Sequence, residues 1–237
     1  MLNLQSVTLV AVATTEIDAT CKAIAHSCAE ISYGSVKLLS SCDSTHRPKI
    51  CQWIEIPPFK SVGEWGRFVV FDLHRYIDSE FILLIHADGF VVNPDKWRNE
   101  FLEFDYVGAP WPLPRDYFSY RDYYGNIIRV GNSVSLRSAR ILRLPSQLNL
   151  PWSSDHGYFH EDGYLCVQNR HILQEHNVRF APLSVSVHFS RERTLYENKH
   201  IEPFAFHKWH GKNRKYPRFS KGFSPLNKIK NLFTGQS

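Results

Sequence analysis

The sequence predicts an α/β domain with a parallel sheet at its core. Two observations carry this expectation. Short, almost wholly apolar runs rich in β-branched residues recur along the first half of the chain. Between them, apolar residues recur at helical spacing, giving the order strand, helix, strand, strand, helix, strand. The 237 residues, 43% hydrophobic and 22% charged, have ordinary globular composition and the length for one large core. A disordered or collagen-like chain is excluded.

Val7–Ala13 reads as a strand buried on both faces, and Thr14 and Thr15 follow it as competent helix N-caps. Ile17, Cys21, Ile24, Cys28 and Ile31 form one face of an amphipathic helix, which makes Cys21 and Cys28 core thiols. Val36–Leu39 and Cys51–Ile56 are expected strands, the second stopped by Pro57-Pro58. Val62, Trp65, Val69, Leu73 and Tyr76 give a second helical stripe, and Phe81–Ile85 reads as a central strand. Beyond residue 90, Tyr106–Pro110 and Arg129–Leu136 read as strands around a loop thick with Trp111, Tyr117, Phe118, Tyr120, Tyr123 and Tyr124. A helix is expected from Glu161 to about His176, then final strands at Val178–Ala181 and Val185–Phe189.

The net charge of +5 is unevenly spread. Residues 191–237 hold 11 Lys/Arg against 3 Asp/Glu, a net +8, and the rest of the chain is net −3. Such a segment attracts anions: nucleic acid, a phospholipid surface or a phosphorylated small molecule. A solvated end is the plain alternative. No nucleic-acid recognition motif accompanies it, so nucleic acid is not an expected partner. The chain is expected to form one domain over 1–210 and a basic tail over 211–237. In the tail, Leu226, Ile229 and Phe233 are spaced for a short amphipathic helix on an anionic membrane, with a disordered tail as the alternative.

Five cysteines, with no Cys-x-x-Cys unit, fit a reduced cytosolic setting. The N-terminus lacks a signal-peptide pattern, and no apolar run approaches the ~20 residues of a membrane span. The expectation is a cytoplasmic protein, at most peripheral at the inner face of the membrane.

Phe81–Ile85 empties into His86-Ala87-Asp88-Gly89. In open α/β sheets ligands bind at the carboxyl ends of the strands. An imidazole and a carboxylate there suit a divalent cation carrying phosphates, although Asp-Gly is also a common turn. The constellation resembles the Asp-x-Asp motif of GT-A glycosyltransferases, with Asp88 at the second acid and His86 in place of the first. The resemblance extends through 86–97 and 104–111, Val130–Ser138, Glu161-Asp162 and 178–183, to an uncharacterised bacterial family of GT-A-type glycosyltransferases, from about residue 7 to 210. That family usually has Gly-Asn-Gly-Gly where this chain has Gly131-Asn132-Ser133-Val134.

The resemblance implies a GT-A-like (Rossmann-like) fold with a mixed, mainly parallel sheet flanked by helices. It implies a transferase taking a sugar from a nucleoside-diphosphate sugar, UDP in the first instance, to a glycan or lipid-linked acceptor in surface polysaccharide synthesis. Mn²⁺ or Mg²⁺ would sit on Asp88 and His207, with His210 the second choice. Asp162 would be the base of an inverting transfer, and Glu161 a hydrogen-bonding partner. A helix-start acid pair also simply complements the helix dipole. Thr14, Thr15, Glu16, Arg67, His86, Asp88, Gly89 and Lys208 are the expected donor contacts. Lys212, Arg214 and Lys215 are further candidates for the diphosphate. Trp111, Gly131, Asn132 and Ser133 are expected on the acceptor side, where the aromatic loop suits sugar rings or serves as a lid. A non-catalytic nucleotide-sugar binder on a degenerate scaffold is the rival reading, motivated by His86 and by Ser133-Val134.

Overall fold

The computed structural model describes residues 1–153 and 160–219. Six strands form the central sheet: β1 (Leu2–Val12), β2 (Ile31–Ser40), β3 (Gln52–Glu55), β4 (Phe81–Ile85), β5 (Tyr106–Pro110) and β6 (Val130–Ser138). Their spatial order is β3-β2-β1-β4-β6-β5. β3, β2, β1 and β4 run parallel, and β6 is antiparallel to both β4 and β5. The sheet is therefore mixed and mainly parallel, as the sequence predicts.

Alternation along the central strands explains why both faces are covered. Leu9, Ala11, Leu83 and Ile85 join one apolar cluster with Cys21 and Ile24 of helix α1 (Ile17–Ser27). Val10, Val12, Ile82 and Leu84 join another with Val69 of α2 (Val62–Phe71) and Leu142 of α3 (Ala139–Gln147). Successive side chains of a strand point to opposite faces, so a continuous apolar run demands a layer on each side. Cys21 is fully buried, as a core thiol should be.

Several elements depart from the sequence reading. α1 ends at Ser27, and Ile31 opens β2 instead of extending the helical stripe. Neither Thr14 nor Thr15 caps α1; the N-cap is Glu16, in left-handed backbone with no side-chain cap. The expected helix from Glu161 is three pieces: α4 (Glu161–Gly163), a π-helical turn over Tyr164–Gln168, and α5 (Arg170–Glu175). The amide of Asn169 reaches back five residues to the Tyr164 carbonyl at 3.0 Å, and such turns recur at functional sites. Val178–Ala181 forms no strand; it makes a single parallel bridge, Phe180 to Tyr106, at the sheet edge. Val185–Phe189 lies in helix α6 (Leu183–Phe189). Its apolar-polar alternation imitates a strand, but the Pro182 carbonyl accepts from the amides of Val185 and Ser186, both at 3.1 Å, and starts a helical turn.

A two-stranded parallel sheet, β7 (Ser190–Arg191) with β8 (Ala205–Phe206), completes the body. The chain beyond 210 does not leave that body at once. Asn213 is fully buried, with its amide group donating to the carbonyls of Arg191 at 2.7 Å and Lys208 at 3.0 Å. Phe219 stacks on Phe90 at 5.2 Å. Residues 211–219, expected in the basic tail, therefore pack on the body, and the amphipathic spacing at 226–233 lies outside the described residues. Among the described residues no helix is long and apolar enough to cross a membrane.

Candidate active site

A cleft of about 440 Å³ opens at the carboxyl ends of β1 and β4. Its walls include Thr14, Thr15 and Glu16 after β1, Phe59–Val62 and Trp65 at the start of α2, His86–Asp88 after β4, Ser133 of β6, and His207 after β8. Each arrives by a separate route. Ser61 caps α2 by accepting from the Glu64 amide at 3.1 Å, while the Glu64 carboxylate accepts from the Lys60 amide at 2.7 Å. This reciprocal capping fixes Lys60 at the rim. Thr14 Oγ1 accepts from the Phe59 amide at 3.3 Å, joining the two walls.

His207 is far from Asp88 in sequence, and β8 delivers it. The Phe206 amide donates to the Phe90 carbonyl at 3.2 Å, and the Lys208 amide to the Asp88 carbonyl at 2.7 Å. His207 Nε2 then lies 3.6 Å from Asp88 Oδ1. Gly89 makes this approach sterically feasible. A Cβ there would meet Val134 Cγ2 at 2.5 Å, His207 Cδ2 at 2.8 Å and the Phe206 carbonyl oxygen at 2.9 Å.

The electrostatics single out the same residues. Burial opposes the charge of Asp88, but the contact with His207, helped by His86 and Lys208, holds its carboxyl well below the usual range. Burial and then the charge of Asp88 push Glu16 up, so these two carboxylates share one cleft. Among the described residues, Lys60 is the one lysine or arginine lining that cleft. His86 packs between Trp65 at 5.3 Å and His207 at 5.6 Å, and its Nε2 is buried with no hydrogen-bond partner. Burial, with the neighbouring His207, lowers its pKa to about 4, so it is neutral at ordinary pH.

Asp88 and His207 fit a divalent ion as a two-donor site. Among the described residues no group of three or more His, Cys, Asp or Glu side chains is arranged to hold a metal. A pair suits an ion that keeps water or phosphate oxygens for its remaining positions, as Mg²⁺ does. The two carboxylates against one lysine also leave the cleft short of positive charge for a diphosphate.

The acid pair divides its roles. Glu161 is buried and pairs with the fully buried Arg137 at 3.0 Å. Burial works against the Glu161 charge, yet Arg137 and then Ser133 keep its carboxyl below the usual range. Glu161 is thus a core ion pair, and its expected ligand contact is corrected. Asp162 is half-buried and accepts from the Gly163 amide at 2.8 Å. Burial first, and then the Glu161 charge, raise its pKa to about 6. That value suits a group that must accept a proton near neutral pH.

The structure thus brings Thr14, Thr15, Glu16, His86, Asp88, Ser133 and His207 together, with Gly89 behind them. Other expectations are corrected. Arg67 points to solvent on α2, 3.4 Å from Asp72 and over the Phe71 ring. Lys208 Nζ is taken by Glu192 Oε1 at 2.6 Å. Lys212 donates to the Lys199 carbonyl, and Lys215 pairs with Glu202 at 2.8 Å. Trp111 is buried, stacked on Tyr120 at 4.9 Å and pressed onto Gly131, where a Cβ would meet the indole at 2.0 Å. Neither Trp111 nor Gly131 is open to an acceptor. Asn132 is buried too, its Nδ2 donating to Glu192 Oε2 at 2.8 Å and its Oδ1 accepting from the Val134 amide at 3.1 Å. His210 is exposed and does not line the cleft.

Lys60 and Glu192 are the residues the sequence reading missed. The Ser61-Val62-Gly63-Glu64 spacing at a helix entry is the available signal for Lys60, since it places residue 60 at the end of a βα connection. Glu192 carries no local signal, because its partners Asn132 and Lys208 meet it only through the fold.

Residues 59–207 match the model of a family described as Protein of unknown function (DUF5672). No curated protein matches the chain by sequence. Among solved structures, the chain is similar to the galactosyltransferase LgtC in complex with donor and acceptor sugar analogs. That likeness has 12% identity, covers 95% of this chain and 94% of that one, and has a TM-score of 0.52. An active-site mutant of LgtC aligns over 97% of both chains at 12% identity and a TM-score of 0.51. At this identity the likeness establishes the fold, which is that of the GT-A glycosyltransferases.

Proposed function

The chain belongs to the family described as Protein of unknown function (DUF5672), and from its fold and cleft we propose that it is a glycosyltransferase. It moves a sugar from a nucleoside-diphosphate sugar to a hydroxyl of a glycan or lipid-linked acceptor, in surface polysaccharide synthesis at the cytoplasmic face of the membrane. The observation that carries this reading is the Asp88–His207 pair, 3.6 Å apart, at the strand ends of a GT-A sheet.

In this reading the donor lies in the cleft, its diphosphate toward Asp88, His207 and Lys60 and its nucleoside toward Thr14 and Phe59. Asp88 and His207 would hold Mn²⁺ or Mg²⁺, which when bound spreads the charge of the diphosphate leaving group. Lys60 adds a point charge from the protein. Asp162 takes the proton of the acceptor hydroxyl as its oxygen attacks the anomeric carbon. The bond from that carbon to the diphosphate breaks, with inversion, and the nucleoside diphosphate departs with the electron pair. Arg137–Glu161 stays out of the chemistry and fixes the start of α4.

A non-catalytic nucleotide-sugar binder is the second reading. It is favoured by His86, a neutral imidazole where the family motif has an acid. A thermal-shift screen of UDP-, GDP-, CMP- and dTDP-sugars, with and without Mn²⁺, tests the shared premise. A ligand at about a hundred times its Kd adds ~2.7 kcal/mol, roughly 5–10 °C for a chain of this size. A shift for one nucleotide class that grows with Mn²⁺ is expected; no shift with any class overturns both readings. Transfer to an acceptor then separates enzyme from binder.

A further inference from the structure

The loop joining β5 to β6 presents tyrosines in a way the transfer chemistry does not use. Two aspartates build it. Asp116 accepts from the amides of Phe118 at 3.0 Å and Ser119 at 2.6 Å, and Asp122 from those of Tyr124 at 3.0 Å and Asn126 at 2.8 Å. Arg121 ties the two turns together through the carbonyls of Tyr117 at 2.8 Å and Gly125 at 2.9 Å. With its polar groups satisfied locally, the loop holds a set shape. It turns Tyr117, Tyr123 and Tyr124 outward, 93%, 74% and 66% exposed.

The loop also packs on the helical run that follows the acid pair. Tyr123 lies flat on the His171 imidazole, 4.5 Å between centroids at 20°, and meets the Tyr124 ring edge-on at 5.3 Å. His171 belongs to α5, which continues the run that begins at Glu161-Asp162. At the inner end Tyr120 stacks on Trp111, and burial first, then the charges of Glu192 and Asp162, push its hydroxyl up. Tyr196, 82% exposed, flanks the loop exit, where its neighbour Glu197 pairs with Arg129 at 2.8 Å.

The loop's charges choose between occupants. Arg115 and Arg121 balance Asp116 and Asp122, and the third arginine, Arg129, is paired with Glu197 at 2.8 Å, so the loop has no excess charge to pull it toward an anionic lipid surface or a nucleic acid. Its three most exposed rings are tyrosines, with an apolar face and a polar rim, and Phe118 is 56% exposed beside them. A pyranose offers the same two features, a C–H face and a hydroxyl edge. An exposed cluster of this kind marks a binding surface.

We infer that this loop is a platform for an extended acceptor glycan, several sugar units long, whose terminal hydroxyl reaches Asp162. The inference rests on the proposed glycosyl transfer. The acceptor is therefore a growing chain, and a free monosaccharide is a poor substitute.

The test uses the whole protein and a Tyr117→Ala/Tyr123→Ala/Tyr124→Ala variant on an array of gluco-, galacto-, manno- and N-acetylglucosamine oligosaccharides, from mono- to hexasaccharide. Wild-type affinity should rise with length, by roughly tenfold or more in at least one series. The triple variant should lose that rise while its melting temperature holds. Overturning results are no dependence on length in any series, or the same dependence in the variant. Loss by the variant of binding to phosphatidylglycerol–phosphatidylcholine vesicles, in place of glycan binding, also overturns it and assigns the loop to the membrane. Nucleotide-sugar affinity, measured alongside, separates the two claims. If the donor binds and no length effect appears, the platform fails alone; if glycans bind by length and no donor binds, the transfer reading fails.

Discussion

Glu192 accepts from Lys208 Nζ at 2.6 Å with one carboxylate oxygen and from Asn132 Nδ2 at 2.8 Å with the other. Both partners hold left-handed backbone, φ 61 at Lys208 and φ 88 at Asn132, which costs a non-glycine residue about 1–2 kcal/mol. Lys208 donates its amide to the Asp88 carbonyl, so Glu192 braces the Asp88 side of the cleft against β6. Its carboxyl sits below the usual range: burial opposes the charge, and His207 and Lys208 outweigh it. Glu192→Ala should cost about 1–3 kcal/mol by stranding the buried Asn132 amide, and should weaken Mn²⁺-dependent donor binding. In a double-mutant cycle, Glu192→Gln and Lys208→Met should couple by about 0.5 kcal/mol or more. Additive effects on melting temperature would refute the brace.

Lys60 lines the cleft and Lys208 is held by Glu192, so the proposed donor contact falls to Lys60. Lys60→Met should raise the Kd for a nucleotide sugar roughly tenfold, ~1.4 kcal/mol, with little change in stability. Lys208→Met should act in the opposite pattern, mainly on melting temperature, by about 1 kcal/mol. Calorimetry and thermal melts on the two variants decide; equal donor affinity in Lys60→Met and wild type would return the role to another group.

Asp162 carries a signature in pH. With its pKa raised to about 6, activity limited by this base should fall below about pH 6. The stability sign follows from linkage. A folded-state pKa above the unfolded value means that the protein loses stability as pH rises from the ordinary carboxylate range through about 6. Asp162→Asn should therefore melt higher than wild type at pH 7.5 and equal to it below about pH 4, while transfer is abolished. A melting difference independent of pH would show that Asp162 is not so perturbed.

The sheet was legible because apolar runs and 3.6-residue stripes are local signals, and β1, α2 and β4 follow from them directly. So was Asp88, since a polar residue directly after a central strand marks a ligand end. The cleft's second half was not. His207 reaches Asp88 only through the pairing of β8, and Glu192 finds Asn132 only in the folded chain. Trp111 illustrates the reverse error: an aromatic among tyrosines looks like a sugar platform, yet the missing side chain of Gly131 makes room to bury it. Val185–Phe189 misled because alternation is read as a strand while Pro182 starts a helix.

Gly89 links fold and site. Gly89→Ala should force Val134, His207 or the Phe206 carbonyl to move, costing about 1–3 kcal/mol of stability as overpacking. It should also remove the Mn²⁺-dependent part of donor binding, because His207 is displaced from Asp88. Retention of metal-dependent binding at wild-type strength would show that the 3.6 Å pairing is dispensable.

Release of nucleoside diphosphate from nucleotide sugars, in the presence of Mn²⁺ and a pooled oligosaccharide acceptor, tests the account most directly. Wild-type protein should release it from one nucleotide-sugar class, and Asp88→Ala and Asp162→Asn, both folded, should not. No release from any of the UDP-, GDP- or dTDP-sugars, or equal release by the Asp88→Ala protein, would contradict it.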